Sequence, residues 1–442
     1  MGATPAFSHM EKVTTIAEGL IQLGYPVHFL TGPDFKDYIE SIGAVYVPIE
    51  GKGPGLMAPE HMEKFLSLQG AELEIFAFNT IFTDEIPPQH RTLQRTFADI
   101  REHYGPHQPL IYLFDCSFSA LTPIEHGAPG IKPDAAIAIG VAPYPGASND
   151  TFPFQSGRHP DTSSRSHAIH FEAQTAQYAA YPDREWNAHL NSVLHSMGAT
   201  LSPKSEFDMF ASAGDTYLQY GVPGFEYQRA DLREGLHFIG APVAVGIAER
   251  TLPSWWDDVL EAKKKGKTVV AVTPSSVVFD NGVLIAPALD ALKDRDNVFV
   301  VATLVNSDPE MLDFDIPTNA RVARFIPLDL ALPYVDVLIT NGGYGTVQQA
   351  VKAGVPLILS GVGQDKTHTG GIVNYVGNGI YEAVHQTDKE MLGKAFEEMM
   401  MNGSYRAKSR ALAKEYEKYN AVEIADREIQ RAVKEALKER SG

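Results

Sequence analysis

The sequence predicts an α/β protein built from two parallel, doubly wound halves that face each other across a cleft. Three observations carry this expectation. The first fifty residues alternate strand and helix patterns, and a second alternating series begins after residue 253. Between Ile339 and Lys366 lies ITNGGYGTVQQAVKAGVPLILSGVGQDK, which reads as strand end, glycine turn, helix, strand and polar loop. Open α/β sheets bind ligands at such places, beyond the carboxyl ends of their strands.

The bulk properties bound the answer. At 442 residues the chain has room for two or three domains, each with its own core, and 44% hydrophobic with 21% charged residues is a globular composition. A formal charge of −18, with acidic residues spread along the chain, argues against nucleic acid and anionic membrane surfaces as partners. Cys116 is the single cysteine, which excludes an intrachain disulfide and points to a reducing compartment. The apolar runs at 135–142 and 298–305 are far shorter than the roughly 18 residues of a spanning helix. No basic-then-apolar leader precedes them, so a soluble cytoplasmic protein is expected.

Taken in order, residues 1–9 read as the end of a first strand and a loop. Residues 10–23 form a helix pattern with Val13, Ile16, Ala17, Leu20 and Leu23 on one face, ended by Gly24. Strand 27–31, helix 35–42 and strand 45–49 follow. The first strand is almost absent: either the sheet starts short, or residues that would complete a central strand are missing from this sequence. Between 51 and 87 the chain is rich in Met, Phe and Leu, including Met57, Phe78 and Phe82, a composition that ordinarily forms core. Helix 91–104 leads to strand 110–114, which ends at Asp115, and strand 135–141 comes next. From 143 to about 170 the sequence is polar and proline-rich, a long surface loop. Helices 185–197 and 203–210 and strand 236–239 complete a first domain, residues 1–240.

Small residues and two prolines make 241–253 the candidate linker to a second domain, 254–442. There the pattern runs helix 255–265, strand 268–273, helix 283–293, and strands 298–303, 322–325 and 335–339. The turn Asn341-Gly342-Gly343-Tyr344-Gly345 comes next. Its glycines let backbone approach a ligand closely. A helix from about Thr346 to Ala353, stopped by Gly354 and Pro356, would aim its first amides into that turn, where an anionic phosphate suits them best. The tail, 389–401 and 405–440, is charged and helical, and is expected to cross back onto the first domain.

The 339–366 stretch resembles the donor-site signature of the UDP-dependent family 1 glycosyltransferases of the natural-product and macrolide type. That signature runs His-x-Gly-x-x-Ser/Thr, Glu, Gly-Val-Pro, Asp-Gln. Asn341, Gly343, Thr346, Gln349, Gly354-Val355-Pro356 and Asp365-Lys366 fall on its positions without a gap. Ser8-His9 and Gly24–Phe29 stand where the family has Gly-His and its second-strand motif. The resemblance implies a GT-B arrangement of two Rossmann-like domains across a cleft. It also implies an inverting transfer of a sugar, glucose, from a UDP-sugar to a hydroxyl of a small apolar acceptor of phenolic, polyketide, sterol or lipid type. It makes His9 the general base and Asp115 the carboxylate that orients it, chemistry an alcohol needs because it is a poor nucleophile until its proton is taken.

On the donor side the resemblance assigns Ser276 to a hydroxyl position near the diphosphate and Phe325-Ile326 to the base-stacking motif. Asn341, Gly343, Gly345 and Thr346 belong to the phosphate turn, and Gln349, Asp365 and Lys366 to ribose and sugar hydroxyls. Asn341 replaces a histidine, Gln349 a glutamate and Lys366 a glutamine. Asn341 still offers an amide to phosphate but adds no charge. Met57, Phe78 and Phe82 fall in the region that lines an acceptor pocket. No cofactor other than the nucleotide sugar is implied, and no metal, since amides and not a cation would hold the diphosphate. A serine elbow and an H-E-x-x-H pair are absent, and the pair His167 and His170 is too little to hold a metal. The alternatives are a sugar-nucleotide epimerase of similar shape and a catalytically degenerate binding homologue.

Overall fold

A computed structural model describes residues 1–242, 251–274, 280–305 and 307–440. Ser276 and most of the expected linker lie outside the described residues. The N-terminal half holds β1 (His28–Thr31), β2 (Val45–Pro48), β3 (Ile111–Asp115), β4 (Ala135–Gly140), β5 (Thr216–Gln219) and β6 (Leu236–Phe238). The C-terminal half holds β7 (Thr268–Thr273), β8 (Val298–Thr303), β9 (Ala320–Ala323), β10 (Val337–Thr340), β11 (Leu357–Ser360) and β12 (Gly379–Glu382). Every pairing between these described strands is parallel, in the orders β1-β2, β3-β4-β5-β6 and β12-β11-β10-β7-β8-β9. The two halves are therefore α/β with parallel sheets, covered by helices on both faces. This explains why β8, VFVVAT, is buried at all of its residues and shows no alternation.

The first strand is a stub that nevertheless occupies the centre of its sheet. Gly2 bridges Leu30 of β1 and Phe114 of β3, donating to the Leu113 carbonyl at 3.0 Å and accepting from the Asp115 amide at 3.0 Å. Glycine is required there, because a Cβ would stand 2.6 Å from the Phe118 ring. Behind the stub the helix begins at Phe7, not at residue 10, and runs to Gln22. The apolar periodicity starts at Met10, so the first turn, which carries Ser8 and His9, is invisible to it.

Other departures have similar causes. β5 and β12 are four-residue strands with polar ends and no alternation to betray them. Helix Lys366–Val376 contains Gly370 and Gly371, which read as helix breakers. They are kept for packing, since a Cβ would meet the Tyr381 ring at 2.4 Å and the Tyr227 hydroxyl at 2.3 Å. The polar loop expected to reach about residue 170 gives way to helix Ser166–Ala179. The tail is two helices after residue 403, Ser404–Tyr416 and Ala421–Glu439. The second is capped by the Asn420 side chain, which accepts from the Val422 and Glu423 amides.

The last helix lies on the N-terminal half. Ala421, Ala425 and Ile429 join one core with Val13, Ile16, Ala17, Leu113 and Ile137. Gly19 permits the approach, because a Cβ there would stand 2.4 Å from the Val422 side chain. Tyr25 fastens the helix from outside by donating to Asp426 at 2.6 Å. No helix among the described residues is long and apolar enough to cross a membrane. Ile429→Ala should cost about 2–5 kcal/mol of stability by urea denaturation, because it opens a cavity in that shared core.

Candidate active site

Asp115 closes β3 with its side chain fully buried. Four hydrogen bonds reach its carboxylate. Oδ1 accepts from the Ser117 amide at 3.0 Å and the Ser117 hydroxyl at 2.9 Å, and Oδ2 accepts from the Thr4 amide at 3.2 Å and His9 Nδ1 at 2.7 Å. Burial pushes its pKa up, but the charge and hydrogen bond of His9 and the two bonds from Ser117 outweigh that and hold it below the usual value. Asp115 is thus an anion. With Nδ1–H donated to it, the partly exposed His9 keeps Nε2 as the free acceptor, the form a general base needs. Ser117 and Thr4 were not singled out from sequence. The hint was local: a hydroxyl two residues after a strand-terminal Asp closes an Asx-type turn.

The glycine turn leaves β10 and meets its helix earlier than the sequence suggested. The helix is Tyr344–Lys352, with Gly343 as the residue that precedes it. Gly342 takes φ +90° while Leu359 crowds its Cβ position at 2.9 Å, so the turn tolerates no side chain there. Of the first-turn amides, Tyr344 N–H donates to Asp365 Oδ2 at 3.1 Å. Those of Gly345 and Thr346 have no protein acceptor among the described residues. Asn341 does not present its amide to the turn. It is buried and donates from Nδ2 to the Ser360 carbonyl at 3.0 Å, tying β10 to β11.

The other residues expected on the donor side divide by exposure. Phe325 leaves a ring face open at 40% exposure, whereas Ile326 is buried in the core beneath it and offers only main chain. Lys366 begins the helix after Asp365, is buried, and donates to Gln364 at 3.2 Å; burial lowers its pKa. Gln349 points across the cleft, donating to Glu11 at 3.5 Å. On the acceptor side Met57 is buried, Phe78 stacks on Trp186 at 4.6 Å, and Phe82 sets its edge against Phe210 at 5.5 Å. The proline-rich loop reaches the other half: Phe154 lies 4.8 Å from the His368 ring, and Gly157 packs on Thr367.

Two buried side chains connect the halves at the site. Tyr344 donates from its hydroxyl to the Tyr220 carbonyl at 2.6 Å and lies 3.3 Å from Glu226 Oε1. Lys12, one turn after His9, reaches toward Gly345, whose Cβ position is 3.0 Å from its ammonium. The dyad and the turn therefore face each other across the width of one lysine side chain.

Two parallel α/β halves, one carrying a histidine–carboxylate pair and the other a glycine turn and helix start that faces it, form a GT-B arrangement. The crystal structure of the calicheamicin glycosyltransferase CalG4 has this fold, with TM-score 0.65 over 98% of this chain and 96% of that one at 16% identity. A family model described as the erythromycin biosynthesis protein CIII-like C-terminal domain matches residues 286–430. UDP-glucosyltransferase avaP of Aspergillus versicolor is 33% identical over 431 residues, 96% of this chain and 94% of that protein. UDP-glycosyltransferase 2 of Phaeomoniella chlamydospora is 32% identical over 435 residues, with the same coverage. The chain belongs to the UDP-dependent family 1 glycosyltransferases and is a sugar-transferring enzyme of the natural-product type. That membership favours sugar transfer over the epimerase alternative.

Two measurements test the electrostatics. Asp115→Asn should lower kcat by about 10²–10⁴-fold while leaving donor affinity within a few-fold of wild type, as read by steady-state kinetics and calorimetry. Burial pushes the Glu226 carboxyl up from 4.5 to about 7 against the pull of Arg229. Its neutral form then stabilises the fold below the ordinary carboxylate range, and that contribution is lost as pH rises from 4.5 through about 7. Glu226→Gln should flatten part of the fall in Tm across that interval.

Proposed function

We propose that this enzyme transfers glucose from UDP-glucose, with inversion, to a hydroxyl on a small apolar acceptor of phenolic, polyketide, sterol or lipid type. The observation that carries the reading is the bond from His9 Nδ1 to the buried Asp115 carboxylate at 2.7 Å, set opposite the unpaired amides of Gly345 and Thr346. His9 Nε2 takes the acceptor proton as the acceptor oxygen attacks the anomeric carbon. Asp115 fixes the tautomer and stabilises the imidazolium. The diphosphate leaves with the bonding electron pair, against the helix start at Gly345 and Thr346. In this reading the amides bear the leaving charge without a metal ion.

A glucose donor draws support from avaP, which is a UDP-glucosyltransferase. Gln349 accepts one ribose bond where a glutamate would accept two, so discrimination among donors falls more heavily on Phe325 stacking and on Asp365. An apolar acceptor draws support from helices Pro59–Ser67 and Gly70–Phe78. Apart from Glu72 and Glu74 the second is apolar, with Ala71, Leu73, Ile75, Phe76, Ala77 and Phe78, yet none of its residues is fully buried. Six apolar side chains that are only partly buried leave apolar surface for a further partner. A cytoplasmic setting draws support from the single cysteine.

Purified protein incubated with UDP-glucose and a panel of phenolic and lipid hydroxyl compounds should yield a glucoside by mass spectrometry and release UDP only when acceptor is present. His9→Ala should lower turnover by about 10²–10⁴-fold, and EDTA should leave turnover unchanged. Full activity in His9→Ala, or UDP release without acceptor, rejects the reading.

A further inference from the structure

The glycine turn has no cation of its own, since Asn341 stands at the position where a histidine is common and spends its amide on Ser360. A diphosphate leaving group carries charge that two amides alone offset incompletely. Besides Lys366, which begins the following helix, a buried cation approaches the turn from the other half of the molecule. Lys12 is 3% exposed, and among the described residues no carboxylate lies within ion-pair distance of its ammonium. It donates to the Ser8 carbonyl, sits 5.3 Å over the Tyr220 ring, and directs Nζ at Gly345, whose Cβ position is 3.0 Å away. Burial lowers its pKa, against the opposing pull of the Glu11, Asp365 and Asp115 charges. An ammonium has three donors. One is taken by Ser8, and Nζ itself lies on the side of the turn, close to Gly345.

We propose that Lys12 is a donor-site residue supplied by the acceptor-side domain, its ammonium binding the diphosphate and stabilising its charge as the glycosidic bond breaks. The inference rests on the reading of the turn as the diphosphate cradle. In the step itself, the bond from the anomeric carbon to the diphosphate oxygen breaks and its electron pair stays with that oxygen. The acceptor oxygen forms the new bond and its proton passes to His9. Lys12 transfers no proton and supplies charge alone. A cation of this kind does two things at once. It lowers the barrier, and it makes the diphosphate a tie between the two halves, because Lys12 belongs to one and Gly345 to the other.

The test is a calorimetric ladder of uridine, UMP and UDP on wild type, Lys12→Met and Lys366→Met, with the Tm of each. Methionine keeps the length and apolar stem of lysine, and replacing a buried charge by an apolar side chain of similar shape is often neutral or stabilising. Lys12→Met should therefore keep or raise Tm. It should leave uridine affinity unchanged and weaken UDP by about tenfold to a hundredfold, the scale of one charge-assisted hydrogen bond. It should also lower kcat at saturating UDP-glucose. A uniform loss across uridine, UMP and UDP indicates a structural role and overturns the proposal. So does an unchanged ladder in Lys12→Met, or a phosphate-dependent loss confined to Lys366→Met. Wild type that binds no UDP overturns the cradle reading itself, whereas wild type that binds UDP as tightly as Lys12→Met removes only the lysine.

Discussion

The structure depends on keeping one carboxylate ionised in the interior. Burying an uncompensated charge costs several kcal/mol, while hydrogen bonds to a charged acceptor return about 1.5–3 kcal/mol each. Asp115 collects four, and their sources explain much of the N-terminal architecture. The Thr4 amide is available only because the stub at Gly2 runs between β1 and β3. That stub exists only because a glycine fits under Phe118 and Tyr112. Thr4 in turn leads into the helix that begins at Phe7 and delivers His9. The strand end, the stub and the helix start are one electrostatic unit, and none could move by a residue without leaving the charge under-compensated.

The second half answers with a different device. Its turn presents neutral dipoles, and its own carboxylate, Asp365, already occupies the Tyr344 amide. What joins the two devices is a pair of buried side chains in opposite directions, Tyr344 reaching the Tyr220 carbonyl from the C-terminal half and Lys12 reaching Gly345 from the N-terminal half. The Tyr344 hydroxyl is buried with its partner, so this contact fixes the two sheets in a defined orientation.

The architecture was legible where burial leaves a pattern. β7 and β8 were delimited to the residue, because strands covered on both faces read as uninterrupted apolar runs. The candidate site was legible through the family resemblance, which singled out His9, Asp115 and the glycines ahead of a helix, and the structure brings His9 and Asp115 within 2.7 Å. It was illegible where the determinant is a neighbour distant in sequence. Asn341 reads as a phosphate ligand until β11 is seen beside it to take its amide. Lys12 reads as one more charge on a helix until the other half is seen to bury it. Helix Lys366–Val376 was lost because its glycines serve Tyr381 and Tyr227, contacts that no local rule contains.

The return of the last helix to the N-terminal half means that the chain passes between the halves twice, once after residue 240 and again around residues 417–420. Residues 220–227 add a further tie, since Tyr220, Val222, Phe225 and Tyr227 are buried in one core with Val347, Leu412 and Tyr416. The last helix in turn completes the core of the N-terminal half. The apolar surface of each half is thus finished by chain that belongs to the other, and the two halves are folded as one cooperative body with a cleft in it.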